Sequence, residues 1–332
     1  RQGLCRYWGR PDVEGESPGS LATEKTYAAG RLASVVYFFE TDPGYAERHS
    51  AFKQVEYDVG TAPGEDGTGE VLRRISWYPD RWCREYQTFK GGQPHGLRWT
   101  FHENGRLDEA KPYVDGKLHG LERAMHEDGR FRKKVSWETG IKHGTESDYG
   151  PSGKRSRLRT WHKGELHGPE RLWDDATGHL LEALQYAQGK KHGNHTEYSS
   201  DTGTPIRVTG YLKGIKNGGE KHYTDHGHLI YEVNNVQGKK DGPERRWTWS
   251  TGGLLEKFHW FAGVRDGEQL RFDWNGSVIS RELFKQGVKY GEQVYNEGSD
   301  QERREYYLGG QKVSSGRWIE YRKEIQKEKL RK

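Results

Sequence analysis

The sequence predicts an all-β fold: an elongated, single-layer antiparallel sheet of tandem β-hairpins, each about 24 residues long. Three observations predict it. A five-residue box bounded by glycines recurs at a near-constant step. A further glycine falls between successive boxes, in a polar turn. Large aromatic residues hold fixed offsets on either side of each box.

The box reads Gly92-Gln-Pro-His95-Gly96, Gly116-Lys-Leu-His119-Gly120, Gly140-Ile-Lys-His143-Gly144, Gly164-Glu-Leu-His167-Gly168 and Gly189-Lys-Lys-His192-Gly193. Four more copies start at Gly214, Gly238, Gly263 and Gly287, with Asn217, Asp241, Asp266 and Tyr290 in the His place. The steps between first glycines are 24, 24, 24, 25, 25, 24, 25 and 24, a regularity that chance does not give. The intervening glycines, such as Gly105 in His102-Glu-Asn104-Gly105 and Gly276 in Asp273-Trp-Asn275-Gly276, match hairpin turns, because Gly and Asn tolerate positive φ. Two turns per repeat leave two segments of seven to nine residues, one strand up and one down.

The strands carry the second periodic signal. Three residues before the box glycine stand Phe89, Tyr113, Trp137, Trp161, Tyr186, Tyr211, Asn235, Trp260, Phe284 and Tyr307, with Asn235 the one break. Five residues after the second box glycine stand Phe101, Met125, Tyr149, Trp173, Tyr198, Tyr223, Trp247 and Phe272. A third slot, nine residues before the box glycine, holds Leu107, Phe131, Arg155, Leu180, Pro205, Leu229, Leu254 and Val278. No repeat buries enough apolar area alone, so the expectation is that rings of neighbouring hairpins stack on one another, each cross-strand pair contributing about 0.2–1 kcal/mol.

This spacing resembles the MORN repeat family, and among its forms the bacterial variant of YwqK-like antitoxin proteins. The residues that carry the resemblance are the Gly-x-x-His-Gly boxes, the aromatic five residues on, the mid-repeat glycine and the aromatic before the next box, over about residues 69–315. The resemblance implies consecutive hairpins in one twisted layer, roles in protein contacts, assembly or membrane-surface attachment, and no activity. On that reading ten repeats give a rod near about 100 Å long.

Composition sets the boundaries of function. Of 332 residues only 31% are hydrophobic, and mean hydropathy is −1.11, low enough to suggest disorder were it not for 12 Trp, 19 Tyr and 10 Phe. Residues 1–68 carry seven Lys/Arg against eleven Asp/Glu, a net −4; the other 264 carry 47 against 38, a net +9. That mild excess permits an anionic partner without demanding one. No apolar run reaches the length of a transmembrane helix. The chain opens on Arg1 without an initiator Met, which reads as a processed product, with a lean towards an exported or cell-envelope location. Residues 1–68 read as an irregular cap with degenerate hairpins at Val35–Phe39, Phe52–Tyr57, and onward at Ile75–Tyr78 and Tyr86–Phe89, and residues 8–30 as loop. Residues 316–332 read as a last strand at Trp318–Tyr321 followed by a basic tail, frayed or briefly helical.

Candidate chemistry is sparse. The box residues His95, His119, His143, His167 and His192 read as turn residues, because equivalent positions two strands apart lie about 10 Å from each other and zinc needs donors near 2 Å from one ion. Interchange with Asn and Asp fits a shared tolerance of turn conformations. His222, His226 and His228 form the densest histidine cluster, in a polar turn. Gly15-Glu-Ser17-Pro-Gly19 has the order of a nucleophile elbow without the strand and helix that chemistry needs. Asn194-His-Thr196 and Asn275-Gly-Ser277 are glycosylation sequences, relevant to an exported eukaryotic chain. Cys5 and Cys83 have no metal spacing, and pairing is left open. The expectation is a non-enzymatic chain without cofactor or metal, binding another protein. An anionic lipid surface, or a glycan on the aromatic face, is the alternative partner, and nucleic acid is not expected. The candidate face comprises Tyr113, Trp137, Trp161, Tyr186, Tyr211, Trp260 and Phe284 with Tyr149, Trp173, Tyr198, Tyr223 and Trp247.

Overall fold

The computed structural model describes residues 72–78 and 83–329 with their side chains, and before them the backbone of five strands: β1 Gly3–Tyr7, β2 Ala22–Ala28, β3 Arg31–Phe39, β4 Ser50–Asp58 and β5 Glu70–Trp77. It divides into two compact units, residues 1–165 and 166–332. Each is an open antiparallel meander of tandem hairpins, the all-β repeat fold that the glycine period predicts.

In the first unit β1 to β5 pair in chain order, and β5 pairs with β6, Cys83–Lys90. The strand β2 corrects the reading of residues 8–30 as loop: the run Ala-Thr-Glu-Lys-Thr-Tyr-Ala alternates well enough to lie between β1 and β3. The Ser17 elbow sequence, and the segments Asp42–Gly44 and Pro79–Asp80 where turns between the expected hairpin strands would fall, lie outside the described residues. Hairpins of the regular kind follow, Gly96–Phe101 with Leu107–Val114, then Gly120–Met125 with Phe131–Glu138, then Ile141–Tyr149 with Arg155–His162. The second unit continues the same pattern from Gly168–Trp173 to Gln311–Val313. Cys83 is a free thiol, its Sγ 3.6 Å from the Glu85 carbonyl, and burial pushes its pKa up.

The box performs two jobs. Its first glycine is the second residue of a two-residue turn with both φ values positive, as in Asp115 (φ 47°) and Gly116 (φ 77°), the turn whose twist matches the flanking strands. Its last two residues make a bulge. Val135 opposes Glu146 on one side of the box, whereas Trp137 opposes Lys142 on the other, so the register moves by two residues across it. Gly144 takes φ 93° there, with the Ser136 side chain 3.2 Å from where a Cβ would stand, so two constraints select glycine. The box His therefore sits in a bulge beside the turn rather than in the turn itself.

The chain end departs from expectation. Residues Ser315–Lys329 form a helix, α1, not a strand with a frayed tail. Ser314 starts it, its Oγ accepting the Arg317 N–H at 3.3 Å. Trp318 is the reason it docks: the indole is buried against Tyr290, Tyr306 and Tyr321, at ring separations of 6.1, 6.3 and 5.9 Å. An aromatic that reads as one more strand position instead covers Tyr290 and Tyr306 at the end of the array.

The interior accounts for the low hydropathy. Of the five largest fully buried side chains, four are polar: Gln269, Gln293, Glu146 and Glu244, with Val135 the fifth. A single layer has no second sheet to bury apolar residues against, so its middle row includes long polar side chains satisfied by lysine, indole or backbone groups.

Candidate functional site: the polar column and the hairpin edges

Glu146, Glu170, Glu244, Gln269 and Gln293, five of the buried polar residues, share one address, the second residue after the second box glycine. Arg98, Glu122, Glu146, Glu170, His195, Glu220, Glu244, Gln269 and Gln293 occupy it in successive repeats. Directly opposed residues share a sheet face, so this column lies on the face that carries the first aromatic column. The two are bonded to each other. The Trp137 indole N–H donates to Glu122 Oε2 at 2.6 Å, Trp161 to Glu146 at 2.8 Å and Trp260 to Glu244 at 2.7 Å. Asn235, the break in the aromatic run, donates from Nδ2 to Glu220 at 3.3 Å. It keeps the donor and gives up the ring.

In three of these four sets a cation two residues after the first box glycine completes the arrangement. Lys142 Nζ lies 3.0 Å from Glu146, Lys216 2.9 Å from Glu220 and Lys240 2.8 Å from Glu244. The same cation fills the space between rings of neighbouring repeats. Lys142 lies 6.0 Å from the Trp137 ring and 4.6 Å from Trp161, and the Arg265 guanidinium lies 5.9 Å from Trp260 and 5.4 Å from Phe284. These neighbouring rings thus meet through a cation, where direct ring stacking was expected. Direct ring contact occurs elsewhere, as between Phe131 and Tyr149 at 5.8 Å.

The charges run on from strand to strand. In the second unit Lys240, Glu244, Arg246, Glu256, Arg271, Glu282 and Lys289 form one chain of ion pairs between 2.8 and 3.8 Å. Burial pushes the Glu244 carboxyl up, and Lys240, Arg246 and the Trp260 N–H outweigh it, leaving the pKa below the usual carboxylate range. Glu146 behaves alike, with Lys133, Lys142 and Arg159 overcoming its desolvation, as does Glu282 with Lys289 and Tyr295. Lys289 is held above the usual lysine range: burial works against it, and Tyr295 and Glu282 prevail. In one repeat His195 takes the glutamate place; burial and Lys191 push its pKa down. At Gln269 and Gln293 the amide turns to the backbone of the bulge instead. Gln293 accepts the Leu283 N–H at 2.9 Å and donates to the carbonyls of Leu283 and Tyr290 at 3.2 and 3.0 Å.

The box side chain is a lateral acceptor. His95 Nδ1 takes the Asp115 N–H at 3.4 Å, His119 that of Thr139 at 3.4 Å, His143 that of Lys163 at 3.4 Å and His167 that of Gln188 at 3.5 Å. Asn217, Asp241 and Asp266 do the same through oxygen at 3.3, 3.1 and 2.9 Å. These seven boxes thus fix the left-handed turn residue of the next repeat, and the box glycine N–H adds a bond to the preceding box, as Gly140 does to Leu118 O at 2.7 Å. A common acceptor explains the interchange of His, Asn and Asp, which the sequence reading ascribes to turn tolerance.

The twelve aromatic residues proposed as a binding face are all half-buried. Among the described residues no group of three His, Cys, Asp or Glu converges as a metal site. The histidine cluster separates: His222 Nε2 lies 3.2 Å from Glu220 and its ring 4.7 Å from Tyr231, while His226 and His228 stay exposed. A shallow groove of about 670 Å³ in the first unit is lined by His102, Asp108, Met125, Glu127 and Arg132 among others, with Asp108 engaged by His102 at 3.7 Å and Arg132 at 3.4 Å.

The tight-turn edge of the second unit is different in character. The strand residue before the turn and the one after the box glycine are repeatedly apolar and exposed: Leu212 opposite Ile215, Phe261 opposite Val264, then Val236 and Val288. Phe261 is 62% exposed. Ile215 Cγ2 lies over Gly238 and Val264 over Gly287, with Lys239 over Gly263 between them, so apolar contacts recur along the edge with a lysine interposed.

No family model matches the chain, and no curated protein matches it. Among solved structures it is similar to a TcdB2–TccC3 crystal structure, at 12% identity and a TM-score of 0.15, with 87% of this chain covered. The chain spans about a fifth of the length of that protein, 20%. It is also similar to a porin-like protein from Bacteroides uniformis, at 9% identity and a TM-score of 0.16, covering 93% of this chain and 91% of that one.

Proposed function

We propose that the chain is a repeat protein that binds another protein along its tight-turn edge and performs no chemistry itself. The observation that carries this reading is the exposed run of Leu212, Ile215, Val236, Phe261, Val264 and Val288 in the second unit. Recurrent exposed apolar residues along one edge, interspersed with lysine, are the composition of a protein contact surface. The edge positions have no role in the polar column, so their apolar character is not needed to hold the sheet. The carboxylates that could act as acids or bases are engaged by lysine, arginine or indole N–H, and their lowered pKa values suit ion pairs rather than proton transfer at neutral pH. The resemblance to MORN-type hairpin repeats, with their scaffolding or antitoxin-like roles, belongs to the same proposal.

Affinity purification of the full chain from its native source, with mass spectrometry, tests it. A stoichiometric protein partner is expected with the parent chain and is lost with Phe261→Glu and Ile215→Glu, which sit on exposed positions that folding tolerates. Capture that is indifferent to both substitutions, or no stoichiometric partner, sinks the proposal.

A further inference from the structure

Two side chains are presented to solvent in a way that the fold does not use. Trp249 is 76% exposed and Trp274 is 86% exposed, the two most exposed large hydrophobic residues among those described. Both stand at the same position of the repeat, in the tips opposite the tight turns, one hairpin apart. Elsewhere that position holds Glu103, Glu127, Pro151, Asp175, Ser200 and Asp225. An exposed tryptophan at a loop tip gains no burial, so its presence in two consecutive repeats is unexplained by stability.

The two tips carry little charge and, like other tips of the array, are bonded internally. Residues 248–253 read Thr-Trp-Ser-Thr-Gly-Gly, with no charge. Residues 273–277 read Asp-Trp-Asn-Gly-Ser, and the one charge is turned inward: Asp273 Oδ1 accepts the N–H groups of Asn275 and Ser277 at 2.9 and 2.8 Å. Thr248 Oγ1 takes the Gly253 N–H at 2.9 Å and meets Thr251 Oγ1 at 2.6 Å. Each tip is thus fixed by its own internal bonds before any partner arrives, which lowers the ordering cost of binding. Among the described residues, neither indole N–H, nor the Ser250 hydroxyl, nor the Asn275 side-chain amide takes part in a hydrogen bond.

We propose that the Trp249 and Trp274 tips together bind a neutral, extended polysaccharide. An indole face accepts the apolar C–H face of a pyranose ring, and its N–H donates to a hydroxyl. Equivalent positions one hairpin apart are separated by two strand spacings, about 10 Å, so one extended glycan reaches both rings. The absence of Lys and Arg from the tips removes the attraction that an anionic headgroup, a sulfated glycan or a nucleic acid needs. Serine, threonine and asparagine around the rings supply the hydroxyl-matching donors and acceptors. This site is distinct from the apolar tight-turn edge, at the other end of the hairpins.

The test uses the full chain against cellohexaose, chitohexaose, xylohexaose and mannohexaose by calorimetry, and against vesicles of zwitterionic lipid by sedimentation. At least one hexasaccharide is expected to bind, with an affinity that changes less than two-fold between 0.05 and 0.5 M salt. Trp274→Ala and Trp249→Ala are each expected to weaken it at least ten-fold, Trp274→Phe less, with unfolding curves unchanged. Absence of binding to all four glycans overturns the proposal. So does binding that survives the double alanine variant, or vesicle binding that depends on the two tryptophans while no glycan binds. Loss of the protein partner in the Phe261→Glu test leaves these outcomes untouched, so the two readings fail separately.

Discussion

The repeats of Glu146 and Glu244 and the repeats of Gln269 and Gln293 fill the same buried address with side chains that differ by one atom and reach different partners. The carboxylates bond sideways, to a lysine four residues back and an indole on the adjoining strand. The amides bond downward, to the N–H and carbonyl groups of the bulge. A carboxylate only accepts, so it needs donors, and the cation and indole supply them; an amide also donates, so it satisfies carbonyls that the bulge leaves open. The same backbone is therefore held in two ways, by a charged side-chain network in one set of repeats and by side chain to main chain bonds in the other.

The largest effect is expected where the two solutions are exchanged. Gln293→Glu places a carboxylate at a fully buried site facing the Leu283 and Tyr290 carbonyls. A loss of about 3 kcal/mol is expected at neutral pH. It shrinks towards pH 4, as the protonated acid recovers a donor; urea denaturation at several pH values reads both. A loss that does not change with pH breaks the comparison.

Removing the acceptor from a charged repeat comes next. Glu244→Ala leaves Lys240, Arg246 and the Trp260 N–H without their partner, and about 2 kcal/mol of destabilisation is expected, below the figure for a dry ion pair because Lys240 and Arg246 are 33% and 50% exposed. Glu244→Gln keeps an oxygen for the indole and costs about half as much by the same denaturation measurement.

The unsubstituted chain should show the opposite pH sign to Gln293→Glu. The folded pKa values of Glu146, Glu220, Glu244 and Glu282 lie below their unfolded value. Their contribution is complete above about pH 4.3 and is lost as pH falls through the folded values. Denaturation midpoints should hold from neutral pH to about 5 and fall below about 4, and hydrogen exchange should show strands around Glu244 opening before those around Gln293.

The smallest effect belongs to the lateral acceptors. His119→Ala removes the exposed acceptor of the Thr139 N–H and is expected to cost about 0.5–1 kcal/mol, whereas His119→Asn costs less than about 0.5 kcal/mol. Equal losses for the two would show that the ring, not the acceptor, matters.

Some of this is written openly in the chain. Gly116 and its equivalents stand at positive φ, a conformation that side chains resist, so the turns mark themselves at every repeat. The acceptor column is visible as His, Asn and Asp at one offset, although its partner, the next repeat's turn N–H, is not local. The glutamate column is just as periodic, at Glu122, Glu146, Glu170, Glu220 and Glu244, and the sequence reading passes over it because an isolated glutamate reads as solvated surface. Trp318 misleads for a related reason: strand or helix depends on whether Tyr290 and Tyr306 are left for it to cover.

The amino-acid order alone determined where the chain turns and therefore the hairpin class, since backbone conformations that only a few residues accept are local properties. Tertiary structure decided what fills the middle of the layer. Register placed Lys240, Glu244 and Trp260 on one face and set donors against acceptors. A buried charge is tolerated only where such partners meet it, and a residue list does not show who meets whom.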